Sequence, residues 1–475
     1  MRKTYLAALL AACFLSACGG DGGSDASPAP TPGTTQPSEP TQPGDAAQPP
    51  SFARLISFGD SLSDVGTYAV GPIKTLGGGK FTINGDSTAL NPALTGQNWT
   101  EQLAMRLDLP VPCAAQTGLD GDASNGLSVP VTDHAGCFGY AQGGARVTNP
   151  VGVTNKLTGD PFGGLTVPVA AQISRHLELS GGKFQADELV LVMAGGNDLL
   201  VELNALEDAS EEKAEAVAQE AFADSLAKAL AHGATDPAAA AVAIRDAIDS
   251  ARSSKGSTNE AVIEAAIISA ASMPGNAAVA NEAVYMPMVA GARNDALAAA
   301  MAAANTYILG EKPRLTGVIS TAATELVELV KNRIIANGAQ YVVVNNLPDV
   351  ALTPSGRAVD AVTSGLISAM TQAFNERLRT ALADEKRVLL VDAYQLSQEA
   401  AANPTAFGLT NVTETACDLD SPMNPLKSSL ICTASNLKEG DVSRYAYADD
   451  EHPTPYFYGV LTNRVVEEMK KKGWL

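Results

Sequence analysis

The chain has 475 residues, 45% of them hydrophobic, and a mean hydropathy close to zero, so it can bury a large core as one large domain or two. Its 52 Asp and Glu outnumber 32 Lys and Arg, giving a formal charge of −20, and a phosphate backbone would be repelled by that field. Nucleic acid is therefore not an expected partner, and the composition is that of a globular protein, neither fibrous nor disordered.

The chain begins MRKTYLAALLAACFLSAC: two basic residues, an apolar stretch too short to span a bilayer as a helix, then small residues before Cys18. This reads as an export signal over residues 1–17. Leu15-Ser16-Ala17-Cys18 resembles the bacterial lipobox, which implies acylation of Cys18, and Gly19 after it implies an outer-membrane address. An ordinary secretory signal cut near the same place, with a periplasmic or secreted product, is the alternative. Residues 18–51 are dominated by Pro, Gly, Ser and Thr and are expected to form a disordered tether without packing of their own.

Past the tether, short apolar runs rich in β-branched residues alternate with helical patterns. The runs are RLISF (54–58), ELVLVMA (188–194), YVVVNN (341–346) and RVLLVDA (387–393). Near-continuous apolarity suits parallel strands covered on both faces, so an α/β domain is expected. The segment VISTAATELVELVKNRIIAN (318–337) has helical apolar spacing and ends at Gly338, a glycine cap before the next strand.

Of six cysteines, Cys13 and Cys18 belong to the signal, leaving Cys113, Cys137, Cys417 and Cys432 in an exported, oxidising setting. Four cysteines allow three pairings, and closeness in sequence favours Cys113–Cys137 and Cys417–Cys432. No CxxC or Cys/His spacing supports zinc.

The first strand stops abruptly at Gly59-Asp60-Ser61, followed by Asp64. In an open parallel sheet, ligands bind outside the carboxyl ends of the strands, so Ser61 is presented where substrate would sit; a turn with a helix N-cap would use the same residue types. A serine nucleophile needs a base, and the base needs a group to hold its tautomer. The histidines are His134, His176, His232 and His452; only His452, in YAYADDEHPTPYF, has a carboxylate at a suitable spacing, Asp449, with Asp450 and Glu451 as competitors. Oxyanion donors are offered by YAQGGA (140–145) and by Gly195-Gly196-Asn197-Asp198 at a strand end, although both are common turn sequences.

Taken in order, GDSLSD, YAQGGA, GGND and DDEHPT resemble the GDSL, or SGNH, family of serine esterases and lipases. Weaker likeness extends to GQNWTEQLA (96–104), YVVVNNLPD (341–349) and NPTAFGLTNVT (403–413). The resemblance implies a three-layer α/β/α sandwich like flavodoxin over residues 52–204 and 313–475, with no cofactor or metal. It also implies Ser61 as nucleophile, His452 as base and then acid, and Asp449 as its orienting partner. The oxyanion hole would be the Ser61 and Gly144 backbone N–H groups and the Asn197 amide, with Gly143 as the possible shift of register. The motif is not the G-x-S-x-G elbow, because Ser63 stands two after Ser61.

One departure is large. About a hundred alanine-rich residues, 205–312, intervene between Asn197 and the YVVVNN strand, with breakers at HGATDP, SSKGST and MPGN. Several short antiparallel helices are expected there, either as a lid presenting Val284, Tyr285, Met286, Met288 and Val289 to an acyl chain or as a passive subdomain. No barrel extension follows the His452 block, so the autotransporter form is not expected. The implied partner is a small-molecule or lipid ester, with membrane contact through the lipid on Cys18 alone. A phospholipase or carbohydrate deacetylase would use the same site; a surface lipoprotein acting mainly in binding is the alternative of another class.

Overall fold

The computed structural model describes residues 49–85 and 96–475; Cys18, the signal and nearly all of the tether lie outside them. The four apolar runs are strands, β1 Arg54–Gly59, β2 Glu188–Met193, β3 Tyr341–Asn345 and β4 Val388–Val391. They pair in that order, all parallel, with Val190 opposite Val342 and Val342 opposite Val388.

Alternate side chains enter two separate cores, which is why the runs are nearly continuously apolar. Ile56, Phe58, Val190, Val192, Val342 and Val344 face one core and Leu55, Leu189, Leu191, Met193, Val343 and Val391 the other. Helices close both faces. Over the first lie α2 Val169–Leu179, the end of α6 Glu282–Glu328 and α7 Ala361–Leu382. Over the second lie α1 Trp99–Arg106, α8 Ala393–Ala402 and α9 Pro455–Lys471. Each large buried strand side chain contributes about 1.5–3 kcal/mol relative to exposure, and truncating Ile56 or Val192 to Ala would leave a cavity that neither rigid layer can collapse into. The protein is thus α/β with a parallel sheet, as expected.

On the outer edge of β1 the chain adds one short pairing: the Ser57 N–H donates to the Phe138 carbonyl and the Tyr140 N–H to the Ser57 carbonyl. Because β2 pairs with the opposite edge, the chain leaves β1 to one side and then to the other. That reversal opens a crevice at the carboxyl ends of the strands.

The alanine-rich region departs from expectation in one respect. In place of several short helices it contains two long ones. α3 runs from Gly196 to Ala231, 36 residues, and α6 covers 47, so the expected boundaries near 205 and 312 fall inside continuous helices. The two are antiparallel, Arg314 pairing with Glu202 near the sheet and the Ser225 hydroxyl with Asp295 further out. Only the distal connection is short, with α4 Pro237–Arg252 and α5 Asn259–Ala271, and here HGATDP, SSKGST and MPGN do end helices.

This tip has a core of its own, built from Leu226, Leu230, Ile244, Ile248, Val262 and Val289. Val284, Tyr285 and Met288 pack against it, and Met286 is 49% exposed. Leu226 lies 29 residues beyond Asn197 on α3, roughly 40 Å at the helical rise. Of the side chains expected to wall an acyl chain, Val284, Tyr285, Met288 and Val289 therefore pack into the tip, far along α3 from Asn197. The helix expected over 318–337 is the end of α6, continued by a π turn and a 3₁₀ turn to Asn337, and Gly338 has φ 109° as its cap.

Candidate active site

At the end of β1 the backbone turns at once. The Asp60 carboxylate accepts from the Leu62 N–H, and the Asp60 carbonyl from the Ser63 N–H, so Ser61 stands at the apex of a tight loop. Glycine is needed at 59 because a Cβ there would lie 2.1 Å from the Met193 carbonyl oxygen of β2. The Gln172 side chain of α2 clamps the same residue, accepting from the Gly59 N–H at 2.9 Å and donating to its carbonyl at 2.8 Å.

The Ser61 Oγ lies 2.9 Å from His452 Nε2. His452 Nδ1 lies 2.8 Å and 3.0 Å from the two carboxylate oxygens of Asp449, which fixes the tautomer with its proton on Nδ1 and a lone pair on Nε2. The spacing of three works because the carboxylate also accepts from the Glu451 and His452 backbone N–H groups, folding the loop back on itself. Asp449 Oδ2 takes a further bond, 2.7 Å, from the Ser429 N–H. Asp450 is exposed, and the carboxylate bonded to His452 is that of Asp449.

Burial alone would raise the Asp449 carboxyl, but the His452 charge and hydrogen bonds from His452 and Ser429 outweigh it and hold it far below the usual carboxylate range. For His452, burial acts to lower the pKa; the Asp449 charge and hydrogen bond overcome this and hold it above the ordinary histidine value. The pair is thus a buried carboxylate beside a strengthened base.

Three N–H groups come from three neighbouring segments, the turn after β1, the YAQGGA loop and the start of α3. Among the described residues neither the Ser61 nor the Gly144 backbone N–H donates a hydrogen bond, whereas the Gly143 N–H is taken by Asp64 at 2.9 Å. Of the two glycines, Gly144 is therefore the available donor, and its φ of 79° suits a glycine. Asn197 sits in the first turn of α3, donating one amide hydrogen to the Ala145 carbonyl at 3.0 Å, which leaves the second for a ligand. The amino end of this helix also favours negative charge nearby.

Two buried carboxylates brace the donor loop. Asp64 accepts from Gly66, Thr67 and Gly143 N–H groups, and Asp198 from Val147 N–H and the Arg146 guanidinium. Burial pushes the Asp64 carboxyl up to about 6 and raises Asp198 as well. Asp60, buried beside the nucleophile, is pushed up by burial to about 7.

The remaining histidines lie elsewhere. His134 Nε2 meets the Thr117 hydroxyl, His232 is an exposed residue at the end of α3, and His176 is packed among Phe58, Tyr140 and Phe184, where burial pulls it down to about 4. Both expected disulfides are present, Cys113–Cys137 and Cys417–Cys432. Asp64 and Asp198 stand within the quoted motifs, but Gln172 and Ser429 carried no local signal and were missed.

Neither a family model nor a curated protein matches the sequence. The likeness to a family rests on these residues and their order.

Proposed function

We propose that the protein is a serine ester hydrolase of the GDSL/SGNH type, acting on acyl esters through an acyl-enzyme. The observation that carries the reading is the line Ser61 Oγ, His452 Nε2, His452 Nδ1 and Asp449, with steps of 2.9 Å and 2.8 Å, beside donors at Ser61, Gly144 and Asn197. A parallel sheet covered on both faces also agrees with the three-layer, flavodoxin-like sandwich of that family.

In this reading His452 Nε2 takes the Ser61 proton as Oγ bonds to the ester carbonyl carbon. The carbonyl oxygen, now an anion, accepts from the Ser61 and Gly144 N–H groups and the spare Asn197 amide hydrogen. The His452 imidazolium, stabilised by Asp449, then gives its proton to the departing alkoxide, leaving alcohol and acyl-Ser61. Water enters, loses a proton to His452 and attacks the acyl carbon; the returned proton restores Ser61 and frees the acid.

Hydrolysis of a chain-length series of p-nitrophenyl esters by the protein and by Ser61→Ala tests the proposal. Turnover of at least one ester, lost by several orders of magnitude in a folded Ser61→Ala, is the expected result; Ser61-independent turnover, or none across the series, would sink it. The same series defines the acyl preference. Export with a lipid on Cys18 is part of the proposal and is checked by whether Cys18→Ser releases the protein from the outer-membrane fraction.

A further inference from the structure

Residues Lys80–Asn84 belong to none of the motifs, yet they reach both residues of the carboxy-terminal pair. The Asn84 amide donates to the Ser429 carbonyl at 2.9 Å, beside the Ser429 N–H that holds Asp449. The Thr82 hydroxyl donates to the Pro453 carbonyl at 2.9 Å, next to His452. Between them, the half-buried Phe81 ring lies over the imidazole of His452, centroids 4.9 Å apart and planes inclined by 32°.

The far side of that ring is equally committed. Phe81 meets Tyr68 edge-on at 6.1 Å, and Tyr68 donates from its hydroxyl to the Gly143 carbonyl at 2.7 Å. A Cβ built on Gly143 would fall 2.2 Å from Phe81 Cε2 and 2.4 Å from Cζ. The glycine before the donor Gly144 thus leaves room for an aromatic ring, which in turn backs the base.

We propose that Phe81 is a positioning residue for His452, and that Gly143 must be glycine because of it; this rests on the esterase reading above. Asp449 anchors the imidazole at Nδ1 but leaves it free to tilt about that hydrogen bond. The Phe81 face closes that freedom and holds Nε2 on Ser61 Oγ. The π face also favours the imidazolium formed when Ser61 loses its proton, so the ring acts most strongly in the transition state.

The test uses the full chain and a short p-nitrophenyl ester. Phe81→Leu, which keeps apolar bulk but has no ring face, should lower kcat about 10- to 100-fold, the cost of a base displaced by a fraction of an ångström, with KM changed less than about threefold. Gly143→Ala should give a similar kcat loss by pushing the ring aside. The double variant should be little worse than either single one, since both act on one contact. Phe81→Met, with the same bulk and a more adaptable chain, replaces Phe81→Leu if the latter fails to fold by circular dichroism.

Full activity in Phe81→Leu, a loss carried mainly in KM, or losses that multiply in the double variant would overturn the inference. Any of these alongside Ser61-dependent hydrolysis would leave the esterase reading standing. Absence of Ser61-dependent hydrolysis in the unaltered protein would remove both.

Discussion

Asp449 grips His452 at both ends of the loop that joins them: its carboxylate meets Nδ1 of the ring at 2.8 Å and the His452 backbone N–H at 2.8 Å. One side chain thereby holds the histidine's backbone and fixes its tautomer. Asp449→Asn would place an amide against Nδ1 and favour the wrong tautomer. A fall in kcat on the order of 10³- to 10⁴-fold is expected, with Asp450→Asn within about threefold of the unaltered protein. Steady-state kinetics on one ester decides between them, and a reversed order would move the third role by one position.

The pH dependence follows from the same contact. Asp449 holds the His452 pKa above its usual value of about 6.5, and only the neutral ring can accept the Ser61 proton. Activity should therefore be lost as pH falls, along a limb whose midpoint lies above 6.5 in kcat/KM. A midpoint well below that value would contradict the assignment of the base. In Asp449→Asn the residual activity should show the midpoint moved to lower pH.

The two disulfides should separate stability from catalysis. Cys417–Cys432 closes a loop of 15 residues that carries Ser429, the backbone donor to Asp449, while Cys113–Cys137 lies near the first-strand edge. Replacing either pair with serine should cost about 3 kcal/mol by loop-closure entropy. Only loss of Cys417–Cys432 should also lower kcat, measured on folded protein well below Tm. Equal kcat in both double variants would show that Ser429 needs no staple.

Much of the architecture was legible. Parallel strands buried on both faces are apolar at nearly every position, so β1 to β4 stood out to within a residue or two, and the strand ends gave Ser61 and Asn197. His452 and Asp449 were legible because a turn of three residues brings them together. The bracing was not: Gln172 on Gly59, Ser429 on Asp449 and Phe81 on His452 are contacts between distant segments with no local pattern. The insertion misled for the opposite reason. The expected boundary near 312 falls inside α6, where Ile308, Leu315 and Ile319 anchor the helix to the main core on both sides of Pro313, so tertiary packing overrides the proline's preference against a helix interior.

The tip's distance from the site makes a further prediction. Joining α3 near Glu212 to α6 near Ala304 with a Gly/Ser bridge removes the tip core as a unit and keeps the Glu202–Arg314 pair. Hydrolysis of short and long p-nitrophenyl esters should both persist within about threefold, because a wall roughly 40 Å away along the helix cannot line an acyl pocket. Selective loss of long-chain activity in the folded deletion would restore a lid role.

Activation of Ser61 as a nucleophile by His452 is read out by a fluorophosphonate adduct mapped by peptide mass spectrometry. One stoichiometric adduct on Ser61 is expected, absent in Ser61→Ala and formed at least about a hundredfold more slowly in His452→Ala. An adduct on another residue, or labelling of Ser61 at an unchanged rate without His452, would contradict it.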